Sequence, residues 1–166
     1  MTSPLRIRSY RQTDAVRLEE IFRQAVSAIG PQHYSEEQVS AWSGPRVNAE
    51  RLDAMYSDGR ATFIAVDGTE KVVAFSDMEP DGHIDMLYCD PAFARQGYAT
   101  ALVRATEMEA RRQTLRRLFT EASEAAKPVF ARMGFEVRYR RDIEVDGVAI
   151  HNWAMEKRLA PSPVAR

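Results

Sequence analysis

The sequence contains a single cysteine, Cys89, among 166 residues. No disulfide can therefore form within the chain, which suits a reducing compartment. The N-terminal stretch MTSPLRIRSYRQTD has no apolar core of signal-peptide length, and no run approaches the roughly 20 apolar residues that cross a bilayer. We therefore expect a cytoplasmic protein that has no membrane as partner.

An excess of charge of one sign is also lacking, because 23 basic and 24 acidic residues leave a net charge of −1. A nucleic-acid-binding function fits this balance poorly, since such proteins usually carry a marked positive surface. The length suits one globular domain with its own core. We predict a single domain over residues 1–160 and a disordered tail over residues 161–166, where prolines interrupt the chain.

Several common catalytic and cofactor motifs are missing. The sequence has no Walker A pattern, no G-x-G-x-x-G and no G-x-S-x-G elbow, which argues against the standard nucleotide loops and a serine nucleophile. His33, His83 and His151 are scattered and have no metal-ligand spacing, so we predict no metal site. Cys89, at the end of a predicted strand, is expected to be a small buried side chain.

The order of the hydrophobic patterns predicts a mixed fold of the α+β class. Helical periodicity comes first, an antiparallel meander follows, and βαβ-like units come last. Helix starts are indicated at Thr13 or Asp14, Ser35, Asn48, Tyr98 and Ser123. The alternating segments predict strands over Leu5–Tyr10, Ala61–Val66, Lys71–Met78, His83–Cys89, Arg117–Ala122, Phe135–Val145 and Val148–Leu159.

The segment CDPAFARQGYATAL, residues 89–102, joins a predicted strand to a predicted helix through Gly97. The first N–H groups of a helix have no internal partner and lie at its positive end, so they form a ready anion site. Gly97 and Ala99 leave the rim low enough for a pyrophosphate to approach the backbone. Because many such joints contain one glycine, the segment alone leaves an ordinary connection and a phosphate site open.

The wider context resembles the GNAT N-acetyltransferase superfamily. IDMLYCDPAFARQGYATALV is similar to the acetyl-CoA motif of that family, and LFTEASEAAKPVFARMGFEV to its second cofactor motif. The opening IRSYRQTDAVRLEEIFRQAV resembles the family's first strand and helix, while HYSEEQVSAW and VDGVAIHNWAMEKRL resemble a subgroup of small bacterial members. The resemblance implies a mostly antiparallel sheet of about seven strands, with helices on both faces and a splayed strand pair that holds acetyl-CoA.

The resemblance also implies roles for the residues around this loop. The Leu87 amide would polarise the acetyl carbonyl, an oxyanion-hole role. The strand residues Leu87, Tyr88 and Cys89 would hold the pantetheine arm, as an added strand does, and Ser123 and Lys127 would make further cofactor contacts. The pyrophosphate would be bound by the backbone of Arg95, Gln96, Gly97, Tyr98, Ala99 and Thr100.

Two residues are candidates for handling the proton of the amine. A strand period of two puts His83, Asp85, Leu87 and Cys89 on one face. His83 falls where well-studied family members carry a carboxylate base, and an imidazole that titrates near neutrality would suit that role. Asp85 could act as base through a water, or anchor the substrate ammonium. Structural hydrogen bonds are the alternative for both residues.

Tyr34 and Trp42 belong to the early helical region, which in this family often covers the acceptor site. We therefore predict that they line an acceptor pocket, with core packing as the alternative. The chain departs from the family pattern at Ala94, where the motif has Arg or Gln, and at Phe130, where many members carry a Tyr that acts as general acid.

These features predict direct, acetyl-CoA-dependent acetyl transfer to a primary amine of a small molecule or peptide. The alternative is a catalytically silent module that binds or senses acyl-CoA, which Phe130 favours. A homodimer is the oligomeric state that the resemblance suggests.

Overall fold

The computed structural model describes residues 5–161, which form two four-stranded sheets with helices packed against them. The helices are α1 (Ala15–Ile29), α2 (Glu36–Trp42), α3 (Ala49–Tyr56), α4 (Tyr98–Arg112) and α5 (Lys127–Arg132). The strands are β1 (Arg6–Arg8), β2 (Ala61–Val66), β3 (Val72–Met78), β4 (His83–Ile84), β5 (Leu87–Cys89), β6 (Arg117–Ala122), β7 (Glu136–Val145) and β8 (Val148–Arg158).

The first sheet has the order β1-β2-β3-β5, and every pair in it is antiparallel. All residues of β3 are buried, because α1 covers one face of this sheet and α4 the other. The apolar stripe of α1, which includes Leu18, Ile21 and Phe22, supplies the core on its side. Leu102 and Val103 of α4 supply the core on the opposite side.

Two predicted helix caps are confirmed. The Ser35 hydroxyl accepts from the Gln38 amide while the Gln38 side chain accepts from the Ser35 amide, which forms a capping box at α2. Asn48 caps α3 by accepting from the Arg51 amide. At α1, however, Asp14 makes no capping bond, because the Arg8 guanidinium and the Arg11 amide hold its carboxylate.

The strand predicted over His83–Cys89 is divided in the structure, and this corrects the prediction. β4 pairs in parallel with β6, whereas β5 pairs with β3 in the first sheet. Between them, the amides of Asp85 and Met86 both donate to the Asp77 carboxylate, at 2.8 and 3.0 Å. The backbone therefore changes sheets at Asp85, and the chain has eight strands in its described part where seven were predicted.

The second sheet has the order β4-β6-β8-β7. Its β7–β8 hairpin turns at Asp146 and Gly147, which both have positive φ (50° and 76°), the conformation that tight hairpins need. Ser123 was predicted to open a helix, but α5 begins only at Lys127. The Ser123 hydroxyl instead accepts from the Ala126 amide within the turn that precedes α5.

The predicted fold class is confirmed: the fold is mixed α+β, and its strand pairs are mostly antiparallel. The single domain over residues 1–160 stays a prediction. Of the tail predicted to be disordered, residues 162–166 lie outside the described residues.

Candidate active site

A cleft of about 390 Å³ opens where the two sheets separate. It lies between β5 and β6, and the β7–β8 hairpin and α2 form its outer walls. Its lining comprises Phe22, Tyr34, Trp42, Arg46, Val47, residues 85–88, residues 120–123, Ala126, Phe130, Arg141, Ile143, Val145 and residues 150–152. The predicted site residues Tyr34, Trp42, Asp85, Leu87, Tyr88 and Ser123 all belong to this lining.

The Leu87 amide points into this cleft. The Asp90 amide donates to the Val73 carbonyl at 2.8 Å, which makes those two residues a hydrogen-bonded pair of the β3–β5 ladder. Because such pairs alternate in antiparallel strands, Ser76 and Leu87 form a non-hydrogen-bonded pair. The N–H and C=O of Leu87 are therefore directed away from β3, toward the gap that β6 leaves.

The same alternation separates the three residues of β5. Cys89 stands opposite Ala74 in a non-hydrogen-bonded pair, so its backbone also faces the gap. Tyr88 stands opposite Phe75 in a hydrogen-bonded pair, so its backbone is engaged with β3. The cofactor contact predicted for Tyr88 stays a prediction, and this geometry weighs against a backbone contact there.

Buried polar side chains hold the separation open. The Thr120 hydroxyl donates to the Ile84 carbonyl at 2.8 Å, and the Ser76 hydroxyl donates to the Met86 carbonyl at 2.7 Å. Asp77 is fully buried and also lies 3.1 Å from the Arg60 guanidinium. Burial raises the pKa of Asp77 to about 6, against the lowering effect of the two backbone amides and Arg60.

The predicted common face of His83, Asp85, Leu87 and Cys89 is wrong. Ile84, Leu87 and Cys89 all pack against the same core cluster, which lies beneath α4. Because neighbouring strand residues alternate, His83 faces the opposite side from Ile84. The change of sheet at Asp85, where Asp77 takes the place of a backbone partner, shifts the alternation between the two segments.

His83 is held between two carboxylates. Its Nδ1 lies 2.7 Å from Glu79 and its Nε2 lies 2.6 Å from Glu121. Hydrogen bonds to Glu121 and Glu79 raise the pKa of His83 to about 9, despite partial burial. The imidazole is therefore a cation near neutral pH and has no free lone pair to accept a proton. Its role as base stays a prediction, against which this geometry weighs.

Asp85 presents its carboxylate to the cleft, with a side chain that is 41% exposed. One of its oxygens lies 3.5 Å from the Arg60 guanidinium, which Asp58 and Asp77 bind more closely, at 2.9 and 3.1 Å. Asp85 thus keeps accessible oxygen atoms beside the Leu87 backbone. A substrate ammonium or a water can bind there.

The loop before α4 has the conformation that an anion site needs. Arg95 and Gly97 both have positive φ, 62° and 87°. The first helical hydrogen bond runs from the Ala101 amide to the Gly97 carbonyl, at 3.0 Å. The amides at positions 98–100 precede it and so have no partner within the helix. The Tyr98 side chain is buried in the core, so Tyr98 offers the loop only its backbone.

Cys89 is half-buried, and burial raises the pKa of its thiol to about 11, with a further contribution from Asp90. The thiol is therefore protonated at neutral pH and is not an activated nucleophile.

The two further residues predicted to bind the cofactor lie after β6. Ser123 lines the cleft. The Lys127 ammonium lies 3.7 Å from the centre of the Trp153 ring, a cation–π contact that positions it on the α5 side of the sheet.

Tyr34 and Trp42 stand edge to face at one wall of the cleft, with ring centres 5.5 Å apart. The Tyr34 hydroxyl donates to the His151 carbonyl and accepts from the Glu124 amide, both at 3.0 Å. Burial raises the pKa of this phenol. Tyr34 can therefore offer a substrate its ring, while its hydroxyl links the turn before α2 to β8 and to the turn after β6.

Sequence reasoning did not assign four polar residues to the cleft that they line: Glu121, Arg141, His151 and Asn152. His151 donates to Glu124 at 2.6 Å, and Trp153 donates to the same carboxylate oxygen at 2.7 Å. Arg141 of β7 binds the Asn152 side chain at 3.1 Å and lies 3.9 Å from Glu121. The register of β8 against β6 and β7 brings these residues together. Their spacing along the chain contains no signal of that register.

Phe130 also lines the cleft, with its ring almost fully buried against Phe135. It offers no proton at the position where a hydroxyl was expected from the family pattern.

Among residues 5–161, no three His, Cys, Asp or Glu side chains converge closely enough to hold a metal ion. Over the same range, no helix combines the length and apolar character that crossing a membrane requires.

A family model described as an acetyltransferase (GNAT) domain matches residues 31–158. The uncharacterized N-acetyltransferase YafP of Escherichia coli (strain K12) is 32% identical over 154 residues, which cover 91% of this chain and 94% of the relative. The family-model match extends through the loop before α4 and the lining of the cleft after Pro31.

Solved structures give the same result. A GCN5-related N-acetyltransferase from Rhodopseudomonas palustris is 31% identical and superposes with a TM-score of 0.87, over 96% of this chain and 98% of that one. The PaiA N-acetyltransferase from Thermoplasma acidophilum, solved in complex with coenzyme A, is 16% identical, with a TM-score of 0.76 over 94% and 99% of the two chains. The second likeness concerns the fold alone.

Proposed function

The chain belongs to the GNAT acetyltransferase family, and from this premise we propose that it transfers the acetyl group of acetyl-CoA directly to a primary amine of a small molecule or peptide. The observation that carries the proposal is the Leu87 amide, which faces the cleft just after the chain leaves β6 at the end of β4. A backbone donor fixed in this way is suited to a developing negative charge on an oxygen atom.

The chain has a matching set of groups for acetyl-CoA, which supplies an activated thioester when bound. The backbones of Leu87 and Cys89 face the gap between the sheets and can pair with the amides of a pantetheine arm. The amides at positions 98–100, with Gly97 beside them, can hold a pyrophosphate. Ala94 changes little here, because these contacts come from the backbone. The coenzyme A held by the Thermoplasma relative supports this assignment.

Asp85 handles the amine in this proposal. An alkylammonium must lose a proton before it can attack, and its pKa lies well above neutrality. The exposed Asp85 carboxylate binds the ammonium and accepts its proton, directly or through a water. Arg60, buried among Asp58 and Asp77, holds Asp85 in place. His83, with both ring nitrogens bonded, has a positioning role through Glu121, which lines the cleft.

The acetyl C–S bond breaks as the new C–N bond forms, and the sulfur then needs a proton. Phe130 cannot supply it. The Ser123 hydroxyl lines the same wall of the cleft, and its oxygen accepts from the Ala126 amide, so its hydrogen is available to donate. We assign Ser123 the hydrogen bond to the departing sulfur, with the proton coming from water.

The test is release of the CoA thiol from acetyl-CoA against a panel of primary amines, amino acids, aminoglycosides and peptides, with mass spectrometry of the products. We expect N-acetylated product and an intersecting initial-rate pattern, as a ternary complex requires. Labelled acetyl retained on the desalted protein would instead indicate an acyl-enzyme and would contradict direct transfer.

A silent module that binds or senses acyl-CoA is the second candidate, and Phe130 favours it. Calorimetry separates the two functions. The silent module would be supported if the protein bound coenzyme A but acetylated no amine. In that case Asp85→Asn should change neither the binding of coenzyme A nor the hydrolysis of acetyl-CoA. The homodimer stays a prediction, which light scattering of the purified protein would check.

A further inference from the structure

We infer that the amine acceptor carries an anionic group close to its amine, as an α-amino acid does, and that Arg141 binds this group. The inference rests on the proposed function. It concerns the wall of the cleft opposite the Leu87 backbone, where Arg141 and Glu121 are both part of the lining.

The position of Arg141 follows from the strand register. Arg141 stands directly opposite Asn152 in the β7–β8 ladder and binds its side-chain oxygen. Glu121, on β6, lies 3.9 Å from the guanidinium and binds His83 with its other oxygen. Its neighbour Ala122 points to the opposite face, where α5 packs. Arg141 therefore lies on the face of His83 and Glu121, away from the α5 side.

Arg141 keeps most of its binding capacity for a ligand. A guanidinium has five N–H donors, and the contacts of Arg141 with other described residues are the single bond to Asn152 and the longer approach to Glu121. Arg60, by contrast, is 10% exposed, and Asp58 and Asp77 bind it closely. The side chain of Arg141 is 32% exposed, so a carboxylate can reach it and form a bidentate pair.

The charges of the cleft have an order that suits a zwitterion. Asp85 places negative charge in the lining near Leu87, the His83 cation balances the charge of Glu121, and Arg141 adds positive charge 3.9 Å from Glu121. An amine bound at Asp85 would therefore have a cation near its adjacent carbon. A carboxylate there is attracted, whereas the second ammonium of a diamine is repelled.

The surface beyond Arg141 is mostly apolar, and Arg46, which also lines the cleft, pairs with Asp146 at 3.8 Å. Ile143 and Val145 follow Arg141 on the same face of β7, and Ile150 stands opposite Ile143 on β8. Trp42 lies across the cleft from them. A side chain that extends from the amine and carboxylate would be buried on this surface, so we infer an amino acid with an apolar side chain.

Matched pairs of acceptors test the inference: L-phenylalanine against 2-phenylethylamine, L-leucine against isoamylamine, and L-methionine against 3-(methylthio)propylamine. Each pair differs by one carboxylate. For the wild-type protein we expect kcat/KM to be higher for the amino acid in each pair. In Arg141→Gln, the KM of the amino acids should rise roughly tenfold to a hundredfold, as for loss of a charge-assisted pair, and the KM of the plain amines should not.

Arg140→Gln is the matched control, because Arg140 alternates to the other face of β7 and pairs with Asp142. It should leave the preference unchanged. Calorimetric titration with L-phenylalanine, with coenzyme A present, measures acceptor binding without turnover, and the affinity should weaken only in Arg141→Gln.

Turnover of the plain amines equal to that of the amino acids, or an equal loss of both in Arg141→Gln, would overturn the inference while leaving the proposed function intact. Failure of every amine to be acetylated would overturn both.

Discussion

The imidazole of His83 lies 2.6 Å from the carboxylate of Glu121. This charge pair joins β4 to β6 one residue before β4 ends and the chain turns away from β6. Glu121 also lines the cleft, so the pair stands at the edge of the site. Its contribution to folding depends on the protonated state of His83.

Stability should therefore fall at alkaline pH. The pKa of His83 is about 9 in the folded protein, against about 6.5 in an unfolded chain. A raised folded-state pKa means that the stabilisation is complete below about pH 6.5 and is lost as the pH rises through 9. Because both carboxylates are about one-third exposed, we expect only about 1–2 kcal/mol.

Urea denaturation of wild type and His83→Gln at pH 6 and pH 10 measures this contribution. The difference in unfolding free energy should be large at pH 6 and small at pH 10. His33→Gln, at an exposed position, is the control and should show no such dependence. A His83→Gln difference that is equal at both pH values would contradict the assignment of charge.

Asp85→Asn should lower kcat/KM for the amine by roughly a hundredfold, the usual contribution of a general base. The Kd of coenzyme A should not change, since the cofactor contacts are backbone groups of other residues. Asp58→Asn is the matched control, because Asp58 also pairs with Arg60 but lies outside the cleft lining. An equal loss in both variants would mean that Arg60, rather than Asp85, carries the effect.

Gly97→Ala should weaken coenzyme A binding. Gly97 has a φ of 87° and open space around the place where a Cβ would sit, so the strain is confined to the backbone. Forcing that conformation on Ala costs about 1–2 kcal/mol, and relaxation of the loop would turn the amides at 98–100 away from the pyrophosphate. Calorimetric titration with coenzyme A measures the effect.

Gly59→Ala provides the comparison for Gly97→Ala, because Gly59 has a φ of 95° and equally open surroundings but follows α3. Both variants should lose similar stability. If both bound coenzyme A as tightly as wild type, the anion site before α4 would be refuted.

Tyr34→Phe should destabilise the fold by about 1–3 kcal/mol, because the Glu124 amide and the His151 carbonyl would both lose their partner in a buried place. Tyr139→Phe, on the exposed edge strand β7, should change stability by less than about 0.5 kcal/mol. Thermal denaturation of the two variants decides whether the Tyr34 hydroxyl is structural. Equal melting temperatures of Tyr34→Phe and Tyr139→Phe would contradict a structural role for the Tyr34 hydroxyl.

Elements fixed by local signals could be predicted from the sequence. The strand Arg117–Ala122 and the helix Tyr98–Arg112 have the predicted bounds, because alternation, helical periodicity and the turn residues at their ends agree. The capping box at Ser35 formed for the same reason, since both of its partners lie within one turn. The turn through Gly97 into α4 was predicted because its signals are contiguous, while its binding of a pyrophosphate stays a prediction.

The change of sheet at Asp85 could not be predicted in this way. The alternation of apolar residues continues through His83–Cys89, and the break depends on Asp77, which reaches it from a neighbouring strand. The state of His83 has a similar origin, because Glu121 comes from β6, far along the chain. The role of Arg141 depends on the β7–β8 register, which shifts between Val137 and Tyr139.

The hairpin of β7 and β8 has a consequence for evolution and for engineering. Among residues 5–161, β7 pairs only with β8, and its other edge has no neighbouring strand in the sheet. Substitutions on the inner face of β7, at Arg141, Ile143 and Val145, therefore need no compensating change in a strand beyond β8. The Leu87 backbone and the Gly97 loop would not be altered by them. If the hairpin binds the acceptor as we propose, grafting it between relatives should change the acceptor and leave the acetyl donor unchanged.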